Sequence, residues 1–304
     1  AKQLRSLAKR LRRDPALAED YVREVRAFID GGFAEHLPSG ESALYIMPHF
    51  PVVKPGKVSY KVRPVFNASA AGRRGLSLND CIDDTPNLLP CPLAMFTRFR
   101  RHQVAWVADI SRAYLMVRVR PEDRNLLCFL WFQDERNLVS QVLLRMTSTA
   151  FGVKDSQHNT IAVIIRAHAE QYVGSEPEAS AAICKDLYMD DMLTGSRTVE
   201  EAEQLWRAVV NILGDAGMIL KKFQSNSQEL RQAFGDGGGG GALLSPKLFG
   251  KSLGVGWDQE HDTLLFDPGP MLSFVAESAP TLRTLMGACA RLYDPQGLLA
   301  PYVL

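Results

Sequence analysis

Long apolar runs are absent from this 304-residue chain, and so is any strong excess of charge of one sign. No stretch approaches the roughly 20 apolar residues that span a bilayer, and the first residues carry no apolar signal core. Membrane residence is therefore not expected. Cysteine is sparse: Cys81, Cys91, Cys128, Cys184 and Cys289 form an odd set without CxxC spacing. That argues against both a disulfide framework and a zinc site, and points to a reducing interior. The formal net charge is only +1, so any electrostatic footprint for a polyanion has to come from local clustering.

What is present is a globular composition. With 46% hydrophobic and 23% charged residues, the chain can bury a substantial core and does not read as a disordered tail. Its abrupt start and its end at Tyr302-Val303-Leu304 lead us to expect a domain cut from a longer polyprotein.

The chain is organised around CKDLYMDDMLTGS, where apolar and polar residues alternate on either side of Asp190-Asp191. Leu187 and Met189 before the pair and Met192 and Leu193 after it put the acids at the tip of a β-hairpin. Two adjacent carboxylates cannot be buried unpaired, because desolvating one ion is costly and a second like charge adds to that cost. A solvated turn would satisfy them without any function, since Asp is a favoured turn residue. A third carboxylate upstream weighs against so plain a reading. Asp109 ends the apolar run of QVAWVAD, which reads as a buried strand, and Leu115, Val117 and Val119 alternate on the way out. If the two stretches pair, Asp109 and Asp190 face each other and can hold hard divalent cations through oxygen.

Elsewhere, Leu4, Leu7 and Leu11 and then Tyr21, Val25, Phe28 and Ile29 recur at helical spacing, with a break at Asp14-Pro15 and Gly31-Gly32 as the close. The first of these two helices carries Lys2, Arg5, Lys9, Arg10, Arg12 and Arg13, a basic face suited either to solvent or to a phosphate backbone. Strands are expected over 45–53 and 59–66 around Lys54-Pro55-Gly56-Lys57, with a second hairpin in LLCFLWFQDERNLVSQVLLRM. Helices are expected over 92–100, from near Ser156, and through SRTVEEAEQLWRAVVNILGDAGM, where Thr198 and Glu201 have capping-box spacing. Gly237 to Gly241 read as a flexible loop, and Leu282, Leu285, Met286, Cys289 and Leu292 recur at helical spacing.

With LYIMPHFPVVKPGKVSYKVRPVFNASA, SLNDCIDD, VADISRAYL, FGVKDS, YMDD, LKKFQSN, LGVGWD and YDPQGLLAP in one order, the chain resembles the reverse transcriptases of Bel/Pao-type long-terminal-repeat retrotransposons. The resemblance covers nearly the whole chain. It implies an α+β right-hand polymerase fold, with fingers, palm and partial thumb and an antiparallel palm sheet backed by helices. The implied parts are an N-terminal helical lead-in at 1–36, fingers at 37–90 and 117–155, palm at 91–116 and 156–266, and the start of a thumb at 267–304.

The same resemblance implies an RNA-directed DNA polymerase that copies RNA and DNA by nucleotidyl transfer with two Mg²⁺ ions, or Mn²⁺ in their place. Asp109, Asp190 and Asp191 would be catalytic and would hold the metal together with the Ile110 carbonyl. Lys54, Arg63 and the amides of Ala113 and Tyr114 would hold the triphosphate, and the Tyr114 ring would exclude a ribose 2′-hydroxyl. Phe151 and Gly152 would support the nascent base pair, and Lys222 would donate a proton to the pyrophosphate leaving group. Tyr188, Met189, Gly254, Gly256 and Trp257 would line the primer and template. The chain departs from the family pattern at Asn67, where Asp is usual, at Ser111-Arg112-Ala113, and at Ala150, where Pro is usual. The Ser-Pro usual after that motif is Ser156-Gln157 here.

Implied partners are an RNA or DNA template with a DNA primer, and deoxynucleoside triphosphates. RNase H and integrase domains would lie outside this chain, and the location would be a cytoplasmic virus-like particle or the nucleus. Two other readings remain open at this point: a domesticated palm that binds nucleic acid or a protein without chemistry, and an RNA-dependent RNA polymerase. Tyr114 and Met189 weigh against the latter.

Overall fold

The computed structural model describes residues 2–54, 61–72, 75–84, 87–154, 159–236, 250–252, 255–265, 267–292, 294, 297 and 299. They form an α+β protein of helices and mainly antiparallel sheets, divided into two compact units, 1–88 with 112–164 and 89–111 with 165–304.

The first unit begins with α1 (Lys2–Arg13) and α2 (Pro15–Asp30), split where the sequence indicates. Asp14 caps α2 by accepting from the Leu17 amide at 3.0 Å, and Pro15 stands in the first turn, where its missing N–H is not needed. Leu4, Leu7, Ala8 and Leu11 of α1 join Leu17, Tyr21, Val25 and Phe28 of α2 in the core, which leaves the α1 cations outside. Strands β1 (Ala34–His36), β2 (Ile46–Met47), β6 (Cys128–Asp134) and β7 (Val139–Met146) make a sheet in the order β1-β7-β6-β2, while β3 (His49–Lys54) and β4 (Lys61–Phe66) pair as a separate ribbon.

Two expectations are corrected here. The single strand expected over 45–53 is split at Pro48, which has no N–H for a ladder: Ile46 and Met47 pair in parallel with Cys128 and Phe129, and His49 to Lys54 pair with Phe66 to Lys61. The alternation of Leu115, Val117 and Val119 is not a strand throughout. Arg112 takes a left-handed φ of 55°, which turns the chain out of the preceding strand and into one helical turn, α4 (Ala113–Met116).

At the centre of this core His49 is enclosed by Tyr21, Phe66, Phe129 and Trp131. Its Nε2 donates to the Leu130 carbonyl at 2.8 Å, which leaves Nδ1 to accept from the Tyr21 hydroxyl at 2.6 Å. Burial pushes its pKa down from 6.5 to about 4.

The second unit is built on α3 (Pro92–Phe99), β5 (Val104–Ile110), α6 (Pro177–Asp186), β8 (Leu187–Tyr188), β9 (Asp191–Ser196), α7 (Val199–Asp215), β10 (Leu220–Ser225) and α8 (Gln228–Asp236). The sheet order β10-β5-β9-β8 gives β5 a neighbour on each side. Alternation along β5 sorts its residues between two faces: Ala105 and Val107 pack with Met95, Phe96 and Phe99 of α3, and Trp106 packs with Phe223 and Phe234. The capping box of Thr198 and Glu201 opens α7, and Gly217 at φ 70° follows its end. A small sheet of β11 (Gly250–Ser252), β12 (Val255–Asp258) and β13 (Thr263–Leu265) precedes α9 (Gly269–Ala276) and α10 (Leu282–Cys289). Helix α5 (Asn159–Ala169) contains the division between the units. The sequence reading does not anticipate α6, α8 or α9. The glycine run Gly237 to Gly241 lies outside the described residues.

None of the five cysteines is in a disulfide, and burial pushes the pKa of Cys128 up to about 11. Among the described residues no helix is long and apolar enough to cross a membrane.

The buried neutral imidazole makes stability depend on pH. Because the folded-state pKa of His49 lies below 6.5, the unfolded chain takes up the proton first, so stability held above that pH is lost as pH falls toward 4. The full contribution is on the order of 3 kcal/mol. His49→Gln, which can still donate and accept, is expected to show a shallower fall in melting temperature than the native chain between these pH values.

Candidate active site

Strands β5 and β9 are antiparallel and in register, with Ala105 opposite Gly195, Val107 opposite Leu193 and Asp109 opposite Asp191, not opposite Asp190 as expected, because Asp190 lies in the hairpin loop. Directly opposed residues share a face, so both carboxylates emerge on one side of the sheet, with Cβ atoms about 5 Å apart. The Ile110 amide donates to the Asp190 carbonyl at 2.7 Å and so holds the hairpin tip against the end of β5. Ser111 donates to the Ile219 carbonyl at 2.8 Å on the other side. The end of β5 is thus clamped between the acid hairpin and β10.

The β8–β9 hairpin has Tyr188 opposite Asp191, so Met189 and Asp190 form a two-residue loop. Met189 sits at φ 56°, a conformation that the first loop residue of a tight hairpin turn needs and that glycine adopts more readily. Underneath, the buried Asp186 accepts from Arg98 Nε at 2.7 Å and from the Thr194 hydroxyl at 3.0 Å. This network ties α6 to α3 and β9 and fixes the strand from which the hairpin springs. Sequence reasoning missed it, because Asp186, Thr194 and Arg98 carry no motif and meet only through the fold.

Opposed carboxylates repel and require a cation. Lys222 provides one: its Nζ lies 2.8 Å from Asp109 Oδ2. The ladder between β10 and β5 shifts register between Lys221 and Gln224, and Lys222 itself has φ 59°. A bulge of this kind re-aims a side chain, and here it brings Lys222 to Asp109.

The donor set of Asp109, Asp190, Asp191 and the Ile110 carbonyl is all oxygen, without thiol or imidazole, and suits a hard divalent cation. Among the described residues no three His, Cys, Asp and Glu side chains converge closely enough to enclose an ion, and Asp109 is turned toward Lys222.

Gly195 has its own part in the register. A Cβ there would stand 2.3 Å from the Val104 carbonyl oxygen, so the pairing of β9 with β5 depends on the missing side chain. In the small sheet Trp257 is buried edge-on to Phe99 at 5.0 Å and donates to Asp262 at 2.9 Å, so its ring is committed to the core. A Cβ on Gly256 would meet that of Leu265 at 3.2 Å, and Gly254 lies outside the described residues.

The first unit holds the other residues singled out. The rings of Tyr114 and Phe151 meet at a tilt of 59° with centroids 4.8 Å apart, and Ala113 is buried at the start of α4. Gly152 takes φ 101°, and a Cβ on it would lie 1.8 Å from the Phe66 carbonyl oxygen. Asn79 closes the same corner by donating to the Gly152 carbonyl at 3.1 Å and accepting from the Lys154 amide at 2.8 Å. Asn67 accepts from the Ser69 amide at 3.1 Å, a turn contact that Asp makes as well. Arg63 is exposed on β4, and Lys54 ends β3 opposite Lys61, with its side chain outside the described residues.

No family model matches the chain, and no curated protein is significantly similar to it.

Two substitutions separate strand register from surface pairing. Gly195→Ala is expected to cost about 3 kcal/mol or more, read as a fall in denaturation midpoint, because backbone must move. Lys222→Ala, at a half-exposed pair, is expected to change stability by less than about 1 kcal/mol. Equal effects from the two would show that the β5–β9 contact is not tight.

Proposed function

We propose that the chain is a reverse transcriptase of the retroelement type, a template-directed nucleotidyltransferase with the right-hand polymerase arrangement. The observation that carries this reading is the register of β5 and β9, which opposes Asp109 to Asp191 with Asp190 held at the adjoining tip. In this reading the second unit supplies the palm, with the helices after Gly269 as the start of a thumb. The first unit supplies the fingers.

Asp109, Asp190, Asp191 and the Ile110 carbonyl would hold two Mg²⁺ ions, whose chemistry is to lower the pKa of the primer 3′-hydroxyl and to neutralise charge on the phosphoryl oxygens. The protein's own work is positioning. Asp109 and Asp191 orient the reacting oxygens from a clamped strand pair, so little reorganisation is needed at the moment of reaction. Lys222, whose Nζ rests on Asp109, is the group that donates a proton to the departing pyrophosphate. Arg63 and Lys54, with the amides of Ala113 and Tyr114, bind the triphosphate through charge-assisted hydrogen bonds. The Tyr114 ring, braced by Phe151, excludes a 2′-hydroxyl and so selects deoxynucleotides. Gly152 keeps the backbone beside the nascent base pair free of a side chain.

Primer extension on poly-rA with oligo-dT, dTTP and Mg²⁺ tests the reading. Asp190→Asn is expected to lower the rate about a thousandfold or more with the melting temperature nearly unchanged. Unchanged extension in that variant would sink the assignment. Tight primer-template binding without extension by the native chain would instead favour a palm that binds and does not catalyse. Replacing Tyr114 by Ala is expected to raise ribonucleotide use about tenfold relative to deoxynucleotide.

A further inference from the structure

Charge in this protein is concentrated in one element. Lys2, Arg5, Lys9, Arg10, Arg12 and Arg13 put a charge of +6 on α1, which has no acid, while the whole chain carries +1, so the remainder is at −5. All six side chains are exposed. Among the described residues none of them is in an ion pair, whereas Arg23, Arg26, Arg124 and Arg145 elsewhere in the first unit are paired with acids. Concentrating six like charges on an unpaired helix face opposes folding through self-repulsion, and a bound polyanion removes that penalty.

The geometry narrows the choice of polyanion. Arg5, Lys9 and Arg13 are four residues apart and so form a row with about 6 Å between neighbours along the helix axis. Lys9, Arg10 and Arg13 line a cleft of about 470 Å³ with Ser6, Asp14, Leu17 and Val53. The Asp14 carboxylate in that cleft already accepts from the Leu17 amide, and Arg12 donates to the carbonyls of Asn137 and Leu138 at 3.1 Å, flanking the row. A membrane surface is a poor fit, because an interfacial helix needs an apolar face to insert, and here Leu4, Leu7, Ala8 and Leu11 are all buried in the protein core. Aromatic residues are absent from α1, so it has nothing on which bases could stack.

We infer that the basic face of α1 is a docking surface for the phosphate backbone of a nucleic-acid strand, bound without base preference. The inference extends the proposed function to a nucleic-acid contact that shares no residue with the carboxylate hairpin. Its energetics are those of counterion release, with a salt dependence that counts the phosphates neutralised.

The test is fluorescence anisotropy with a labelled single-stranded RNA, titrated with the full chain at salt from about 50 to about 300 mM. Neutralising three cations in Lys9→Gln, Arg10→Gln and Arg13→Gln together is expected to weaken binding about tenfold or more at the lowest salt and to reduce the slope of log affinity against log salt by about 2. A control that removes three cations elsewhere, Arg23→Gln, Arg136→Gln and Arg207→Gln, is expected to keep most of the slope. Arg10→Lys with Arg13→Lys is expected to retain it fully. The altered side chains are exposed, and circular dichroism checks that each variant is folded. An unchanged slope in the α1 variant would overturn the inference, as would an equal loss in the control. Loss of binding to anionic vesicles with RNA binding intact would overturn it too, in favour of a membrane surface. A slope that falls as expected in a chain that extends no primer would leave α1 as a nucleic-acid surface and remove the polymerase reading.

Discussion

The constraint on which the site depends is the register of two strands. With Asp109 directly opposite Asp191, like charges stand on neighbouring strands, an arrangement that is unfavourable unless a cation is present. Everything around the pair acts to hold that unfavourable geometry. Gly195 lets β9 approach β5, the Ile110 amide holds the hairpin tip, and Asp186 anchors the base of the hairpin through Arg98 and Thr194. The bulge in β10 then delivers Lys222 to Asp109. A shift of one residue between β5 and β9 would send one carboxylate to the opposite face and dissolve the site.

Among the described residues of the second unit, two of the three non-glycine residues at positive φ stand where this geometry is set, and the third, Asp262, lies between β12 and β13. Met189 and Lys222 are non-glycine residues at positive φ, one in the hairpin loop and one at the bulge. Conformations of this kind persist only where surrounding contacts over-determine them, and both lie beside the opposed carboxylates. The first unit has a comparable point at Gly152, where the approach of the Phe66 carbonyl leaves no room for a side chain. In both units the backbone departs from regular geometry next to the residues on which the proposed chemistry rests.

The two units also differ in how they bury polarity. The first holds a neutral imidazole in its core, satisfied by a tyrosine hydroxyl and a carbonyl. The second pairs its buried Asp186 with a guanidinium and has it accept from a hydroxyl. Neither arrangement shows in composition. Each is a polar group made tolerable by partners that lie far away in sequence.

Much of the fold is legible locally. The helical spacing of Leu4, Leu7 and Leu11, the break at Asp14-Pro15, the capping box at Thr198 and Glu201, and the hairpin at Tyr188 to Asp191 depend on residues a few positions apart, so the sequence alone determines them. It also places three carboxylates in a strand and a hairpin. What local pattern cannot decide is which strand lies beside which. The split at Pro48 sends Ile46 and Met47 to a parallel partner some eighty residues on, and alternation in 115–119 gives way to the turn that Arg112 imposes. The burial of Trp257 against Phe99 is likewise set by what packs against its strand. The union of Arg98, Asp186 and Thr194, and the reach of Lys222 to Asp109, exist only once distant segments are folded together. Side-chain chemistry is written in the sequence, but the distances that turn carboxylates and a lysine into a site are set by tertiary pairing.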